Sequence, residues 1–224
     1  GTHVVGTSSY TYNGDGQITH LLQQDGSGNT RANYTYTYDL ANRLSSWNNG
    51  TTTTAYGYDA SGNRTKAGAV TYTYDARNQL LGDGSKTYQY TARGTLAAVS
   101  SATGTATSTF DAFNQAATQG GTSFTYDALG RLGSTSGASG AATFSYSGAA
   151  DTLASDGGST YTWDNGGGLL AVGKGSTTAT PVFAWTDQHD DVVGQFGSAS
   201  TGLTSSVAYD PWGNVVTGRT LAGG

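Results

Sequence analysis

The stretch Tyr36–Leu44, YTYDLANRL, recurs along the chain and decides the fold. Its clearest other copies are Tyr72–Leu80, YTYDARNQL, and Phe124–Leu132, FTYDALGRL. The shared pattern is aromatic-x-aromatic-Asp-x-x-Gly/Asn-x-Leu, and weaker copies bring the total to eleven, spaced 16 to 26 residues apart. The second aromatic of each copy falls at Tyr12, Tyr38, Tyr58, Tyr74, Tyr90, Phe110, Tyr126, Tyr146, Trp163, Trp185 and Tyr209. Self-similarity of this kind along a chain is typical of repeat architectures.

Each copy has the residues of a β-hairpin. The aromatic-x-aromatic pair places two rings on one face of a strand, because successive side chains alternate between faces. The next residue, an Asp in the best copies, can bond the backbone and start a turn; it falls at Asp39, Asp59, Asp75, Asp111, Asp127 and Asp210. Four residues after the second aromatic stands Gly or Asn, which tolerate positive φ: Gly16, Asn42, Gly62, Asn78, Gly94, Asn114, Gly130, Gly167 and Gly213. We therefore predict a hairpin with a four- or five-residue connection in each copy.

The composition agrees with an all-β chain. The 224 residues include 35 Gly and 15 Tyr but no Cys or Met, and all 15 acidic residues are Asp. Strand content is expected to exceed half of the residues, with almost no helix. Without Cys there are no disulfides or thiolate sites. The net charge of −5 disfavours nucleic-acid binding, and no apolar run of 18 residues predicts a membrane span.

The pattern YxYDxxGRL closely resembles the YD repeat of RHS proteins, of teneurins and of the shell-forming component of insecticidal toxin complexes. The resemblance covers Tyr10 to Val216. It implies that the hairpins form a long antiparallel sheet that winds into a hollow shell, which in that family often encloses a C-terminal toxin. The fold class implied is a spiralling YD/RHS-type β-shell.

The end of the chain resembles the RHS-associated core region. The stretch Phe183–Phe196, FAWTDQHDDVVGQF, is followed by VAYDPWGNV, which includes Tyr209, Asp210, Pro211 and Gly213. Asp190 stands where many members of that family have Gly, so this turn is expected to differ. The resemblance divides the chain into a hairpin array at 1–180 and an incomplete core-like segment at 181–224.

The resemblance and the open strand edges of a spiral sheet also imply partners. We expect the remainder of a longer RHS-type polypeptide, or copies of this chain, to pair with those edges. Toxin cargo and surface glycans are further candidate partners, and the implied setting is secreted or at the cell surface.

No candidate reactive site stands out from the repeat. Asp25–Asn29, Asn13–Gly16 and Asp59–Asn63 faintly resemble calcium loops, but an EF-hand needs a terminal Glu, and the chain has none. His189 lies beside Asp190 and Asp191 in a predicted turn. We therefore predict no catalytic, cofactor or metal site, and no enzymatic activity.

Two functions remain open at this point. The first is a structural shell or scaffold that encloses or presents a toxin or effector, or builds a surface assembly. The second is a carbohydrate-binding surface adhesin that uses exposed aromatic rings. Ring exposure discriminates them, and we expect Tyr38, Tyr58, Tyr74, Tyr90 and Tyr126 to be mostly buried against rings or strands of neighbouring hairpins.

Overall fold

The computed structural model describes residues 3–175 and 180–216. These residues contain no helix, and about 54% of them lie in strands. The paired strands are antiparallel, which confirms the predicted all-β class. Nowhere in the described ranges is there a helix that has the length and apolarity to span a membrane. Residues 217–224, the end of the predicted core-like segment, lie outside the described ranges.

The strands follow one another closely along the chain. The first twelve are β1 Gly6–Tyr12, β2 Ile18–Asp25, β3 Thr30–Tyr38, β4 Leu44–Asn48, β5 Thr53–Tyr58, β6 Arg64–Ala67, β7 Val70–Thr71, β8 Thr73–Tyr74, β9 Leu80–Gly82, β10 Thr87–Tyr90, β11 Leu96–Ser101 and β12 Gly104–Phe110. The others are β13 Ala116–Gln119, β14 Thr122–Tyr126, β15 Leu132–Gly137, β16 Gly140–Thr143, β17 Ser145–Tyr146, β18 Leu153–Ser155, β19 Ser159–Trp163, β20 Leu169–Lys174, β21 Val182–Thr186, β22 Val192–Gly197 and β23 Ser205–Ser206.

The chain forms two compact units. Unit 1 combines residues 1–54 with 158–224, and unit 2 is residues 55–157. Within unit 1 the strand orders are β1-β2-β3-β4 and β19-β20-β21-β22-β23, and within unit 2 strands β8 to β16 pair in chain order. The sequence-based division at residue 180 follows motif types and stays a prediction.

The hairpins close with one shared register, apart from the hairpin after Tyr146. The second aromatic pairs with the residue six positions later, as in Tyr38 with Leu44 and Tyr126 with Leu132, and a β-bulge follows. Five residues therefore connect the strands. Tyr146 pairs with Leu153, so that connection is one residue longer. The hairpins predicted from the repeat are present, but the connection after Tyr146 has six residues and not the predicted four or five.

Unit 1 contains a packed core. Tyr34 is 1% exposed and meets Trp47 edge-on, with ring centroids 5.3 Å apart. Ala32, Val193 and Ala208 are also buried. These residues come from β3, β22 and the segment after β23, so sequence-distant parts of unit 1 share this core.

Unit 2 buries its side chains less completely. In its described residues, Ala98 is the one buried apolar side chain, and the extensive strand contacts join strands that are neighbours in the chain. Tyr58, Tyr74, Tyr90 and Tyr126 are consequently half-buried. The expectation that these rings, and Tyr38 in unit 1, are mostly buried against neighbouring strands is confirmed, although none of them is completely buried.

Candidate functional site

The turn after Tyr38 shows how the repeat closes. The Asp39 carboxylate oxygen Oδ1 accepts hydrogen bonds from the backbone N–H groups of Ala41 and Arg43, at 2.9 and 3.0 Å. Asp39 Oδ2 accepts a bond of 2.8 Å from Arg43 Nε. The hydrogen bond from the Arg43 side chain is the main cause of the lowered pKa of Asp39, and these backbone donors lower it further. Asn42 sits between them with φ of 61°, a left-handed conformation that Asn adopts more readily than most residues.

The same turn recurs in the other copies. The carboxylates of Asp59, Asp75, Asp111, Asp127, Asp164 and Asp210 each accept backbone bonds from the residues two and four positions later. Thr91 takes this place after Tyr90 and accepts from Thr95 N–H. The nine Gly and Asn positions singled out in the sequence all have positive φ, between 61° and 89°.

The second tyrosine of a copy fastens its hairpin to the preceding one. Its hydroxyl donates to the backbone carbonyl of the residue that opens the returning strand of that hairpin. The pairs are Tyr38 with Ile18, Tyr74 with Arg64, Tyr90 with Leu80, Tyr126 with Ala116, Tyr146 with Leu132 and Tyr209 with Val192, at 2.8 to 3.1 Å. Phe110 has a ring at this position but no hydroxyl to donate. We call these contacts the hydroxyl ladder.

A second set of contacts, which sequence reasoning missed, joins successive turns. Gln17, Gln79 and Gln115 donate side-chain bonds to the backbone carbonyls of Asn42, Gly94 and Gly130 in the following turn, at 3.1 to 3.3 Å. Arg131 donates in the same way to Gly148 and Ala150, at 2.9 and 2.7 Å. The donors all stand between the Gly/Asn and the Leu of the motif. Recurrent Gln and Arg at that position was the available signal.

Trp185 departs from the register of the other anchors. Thr186, not Trp185, pairs with the residue six positions later and precedes the Asp187 turn. Trp185 therefore points to the opposite face of β21 from Thr186. A Cβ atom at Gly6 or at Gly194 would lie 2.8 Å from the Trp185 ring, so the indole rests directly on both backbones. The divergent copy FAWTDQHDDV uses its tryptophan to join β1 to β21 and β22.

The remaining predicted anchors also have defined places. Tyr12 is 54% exposed, and its hydroxyl donates to Gln188 Oε1 at 2.8 Å. Trp163 lies 6.4 Å from Tyr161 in its own strand, centroid to centroid. Pro211 and Gly213 lie in the turn that Asp210 closes, and Gly213 N–H donates to the Asp210 carbonyl at 3.1 Å.

Unit 1 also encloses a cavity of about 500 Å³. The faces of β2 and β3 form one side, and the turns at 187–191 and 209–213 form the other. Its lining includes five tyrosines and three carboxylates but no Lys or Arg. The rings are those of Tyr10, Tyr34, Tyr36, Tyr38 and Tyr209, and the carboxylates are those of Asp187, Asp191 and Asp210. The sequence did not show that these copies share a cavity, because they lie at opposite ends of the chain.

Burial and nearby carboxylates raise the pKa values of three tyrosines of this cavity. Burial raises the pKa of Tyr36 strongly, and neighbouring tyrosines and Asp187 raise it further. Burial also raises the pKa of Tyr209, with smaller contributions from Asp191 and Asp187. The pKa of Tyr10 is raised mainly by burial. The cavity thus favours neutral phenols and disfavours added negative charge.

The polar residues around His189 form an ordinary repeat turn. Backbone N–H groups of His189 and Asp191 donate to Asp187 Oδ1, at 2.8 and 3.1 Å. Asp190 has φ of 62°, so it adopts the conformation for which the related family uses Gly. In the ranges that the structure covers, no three His, Cys, Asp or Glu side chains group to hold a metal ion.

A search of solved structures returned parts of two toxin structures. The crystal structure of TcdB2-TccC3-Cdc42 matches 92% of this chain and 14% of its own, with 16% identity and a TM-score of 0.48. A Photorhabdus luminescens Tc holotoxin pore with a mutated TccC3 matches 94% of this chain and 17% of its own, with 14% identity and a TM-score of 0.39. The chain therefore spans about a seventh of the first of these structures. The search of curated protein sequences returned no significant match.

A family model provides the assignment. The model described as the teneurin YD-shell matches residues 5–120, which is just over half of the chain. The matched range holds the strands from β1 to β13 and three complete contacts of the hydroxyl ladder, those of Tyr38, Tyr74 and Tyr90. The chain belongs to the teneurin YD-shell family.

Proposed function

We propose that this chain is a wall segment of a shell that encloses or presents a toxin or effector, or builds a surface assembly. The observation that carries this proposal is the hydroxyl ladder, in which one hairpin after another bonds to its predecessor through the same two atoms. Such nearest-neighbour contacts suit an extended wall, because each added hairpin is held in the same way.

The ends of the sheets support a role within a larger assembly. In the described part of the chain, β1 pairs with β2 and β23 pairs with β22, each on one side. An open strand edge presents unpaired N–H and C=O groups to another strand. We propose that the rest of a longer RHS-type polypeptide, or another copy of this chain, supplies that strand. The setting we propose is secreted or at the cell surface.

The chemistry of the repeat supports a role without catalysis. The turn carboxylates, such as Asp39 and Asp127, are engaged by their own turns, and this arrangement recurs with the hairpins. Catalytic carboxylates need distinct environments that separate their pKa values. We therefore propose that the chain is not an enzyme.

The adhesin alternative gains less support from the repeated rings. The hydroxyls of Tyr74, Tyr90 and Tyr126 are bonded to neighbouring strands, and their rings are half-buried. A row of rings committed to neighbouring hairpins does not form a free aromatic groove. The cavity of unit 1 is different, because tyrosine rings from several hairpins line one shared space there.

The edge pairing can be tested with matched charge substitutions. Thr7 and Ser9 are exposed on β1, and Thr105 and Thr107 are exposed on β12, which is paired on both sides. Lysines on an open edge block strand addition. We expect sedimentation velocity to show that the unmodified chain self-associates, that Thr7→Lys with Ser9→Lys abolishes association, and that Thr105→Lys with Thr107→Lys retains it.

Two results would contradict the proposal. One is a strictly monomeric unmodified chain. The other is equal loss of association in both lysine pairs, because that would assign the effect to charge and not to the β1 edge.

A further inference from the structure

Gln23 introduces an unusual polar group into the cavity of unit 1. The side chain lies on β2, lines the cavity and is only 3% exposed. Its amide Nε2 is buried and has no hydrogen-bond partner in the described part of the chain. Its neighbour Gln24, by contrast, donates from Nε2 to the Gly28 carbonyl at 2.9 Å. A buried donor without an acceptor is costly, and such exceptions in native structures call for an explanation.

The cavity combines this donor with two other features. Rings of Tyr10, Tyr36 and Tyr209 supply apolar faces, and carboxylates of Asp187 and Asp191 supply acceptors. A ligand that satisfies all three needs an acceptor for Gln23, hydroxyl or amide donors for the carboxylates, and C–H surface for the rings. Binding sites for small molecules have this mixture of aromatic walls and a few convergent polar groups.

The cavity has a closed floor and an accessible rim. Gln23, Tyr34 and Val193 are buried at its floor, whereas His189 and Asp191 are exposed where the 187–191 turn borders it. A ligand can therefore enter beside this turn. A volume of about 500 Å³ falls within the range of roughly 300–1,000 Å³ that is common for such sites.

We infer that this cavity binds a neutral saccharide, stacked on the tyrosine rings, with hydroxyl groups donating to Asp187 and Asp191 and a hydroxyl or carbonyl oxygen accepting from Gln23. Saccharides present a C–H face and hydroxyl groups that both donate and accept. An anionic ligand would meet carboxylates with no lining Lys or Arg. An organic cation would suit the rings and carboxylates but would leave Gln23 Nε2 unpaired.

This inference concerns a single site and does not depend on the shell role. It differs from an adhesin built on the repeated rings, because it depends on Gln23, a buried amide outside the repeat motif. Loss of sugar binding would leave the edge pairing of β1 untouched, and loss of edge pairing would leave the cavity in place. The two proposals can therefore fail separately.

The test is titration calorimetry of the full chain with four probes: methyl α-D-glucoside, methyl α-D-galactoside, methyl α-D-mannoside and N-acetylglucosamine. We expect at least one of them to bind. Gln23→Leu should weaken that binding about tenfold or more, as expected for the loss of a buried hydrogen bond. Asp191→Asn should also weaken it. The control Gln24→Leu changes the same residue type on the same strand outside the cavity and should bind as the unmodified chain does.

Stability separates a binding role from a structural one. Replacing an unsatisfied buried amide by an apolar side chain of similar size is nearly neutral or stabilising, so Gln23→Leu should keep or raise the melting temperature while losing the sugar. The inference is overturned if none of the four saccharides binds, if Gln23→Leu binds equally well, or if tetramethylammonium binds and the saccharides do not. A lowered melting temperature in Gln23→Leu would equally overturn it.

Discussion

Unit 1 and unit 2 are built from the same repeat but pack differently. Both have the Asp turns, and both have the hydroxyl ladder, as in Tyr38 of unit 1 and Tyr126 of unit 2. Unit 1 nevertheless buries Tyr34 to 1% exposure, whereas the one buried apolar side chain in the described part of unit 2 is the small Ala98. The repeat therefore makes hairpins and joins them, but it does not by itself make a packed core.

The core of unit 1 comes from residues outside the motif. Trp185 rests on Gly6 and Gly194, two glycines in strands from opposite ends of the chain. Tyr34 precedes the aromatic-x-aromatic pair of its hairpin, and Trp47 lies in the returning strand β4. The difference between the units teaches that departures from the repeat, and not its best copies, determine where the chain closes on itself.

We expect acid to cause the largest loss of stability, and we expect unit 2 to lose stability before unit 1. Turn donors lower the pKa of Asp25 and Asp39 in unit 1 and of Asp59, Asp75, Asp83 and Asp127 in unit 2. A carboxyl with a lowered folded pKa stabilises the fold above its unfolded pKa of about 3.9, and this stability is lost as the pH falls further. We expect the melting temperature to fall steeply below about pH 4, with the amide exchange of unit 2 rising before that of unit 1.

A substitution at Asp83 tests the expected loss of stability in acid. The Tyr88 hydroxyl, which donates to Asp83 Oδ2 at 2.6 Å, is the main cause of the lowered pKa of Asp83. Asp83→Asn removes that titration and should make the acid loss smaller in unit 2. A melting temperature that stays constant down to about pH 2 would be incompatible with this linkage.

The second largest effect is expected when an aromatic ring is truncated, and the loss in the free energy of unfolding should differ between the units. Tyr34→Ala removes a ring that is 1% exposed, and truncations of this size cost about 3–5 kcal/mol. Tyr74→Ala, at a half-buried ring of unit 2, should cost roughly half as much. Urea unfolding followed by circular dichroism measures both. Equal losses would mean that the rings of unit 2 are as buried as those of unit 1.

Crowding the tryptophan contact should disturb unit 1 selectively. A Cβ at Gly194 would lie 2.8 Å from Trp185 and 3.0 Å from Leu203. Overpacking of this kind costs about 1–3 kcal/mol, so Gly194→Ala should lower the free energy of unfolding by that amount. Gly202→Ala is the control, because its Cβ would meet no atom within 4 Å. If the two variants were equally stable, the packing of Trp185 on Gly194 would be refuted.

Removal of single ladder hydroxyls should affect both units alike. Tyr38→Phe in unit 1 and Tyr126→Phe in unit 2 each delete one bond, to Ile18 and Ala116 respectively. A typical hydrogen bond contributes about 1 kcal/mol, so each variant should lose about that much in urea unfolding. Phe110→Tyr provides the reverse test, because it adds a hydroxyl where the repeat lacks one. A loss confined to one unit would show that the ladder is not a general feature.

The smallest effect is expected at the turn tips. Phe113 is 86% exposed and Leu129 is 61% exposed, although both are apolar. Surface substitutions away from special contacts usually change stability by less than about 0.5 kcal/mol. Phe113→Ser and Leu129→Ser should therefore unfold at unchanged urea concentration. A larger loss would contradict the exposure of these two tips in the folded chain.

The sequence predicted the local structure well because the repeat is local. Asp39 and Asn42 make their turn with residues four positions away at most, so residue type and spacing suffice. The degree of burial of Tyr74 could not be predicted, because a ring motif does not tell whether a second layer covers it. Trp185 was misplaced by one residue because a divergent copy was aligned on its aromatic residue and not on Asp187. The cavity of unit 1 was missed because its lining comes from both ends of the chain.

Native-state hydrogen exchange of the unmodified chain, resolved by mass spectrometry, tests the central claim most directly. The claim is that one repeat builds both units, but only unit 1 closes over a packed core. Amides of β2, β3 and β22, which surround Tyr34 and Val193, should exchange most slowly. Amides of β10 to β15 in unit 2 should exchange faster while remaining slower than the turns, because their strands are paired. Equal protection in the two units, or greater protection in unit 2, would contradict the account.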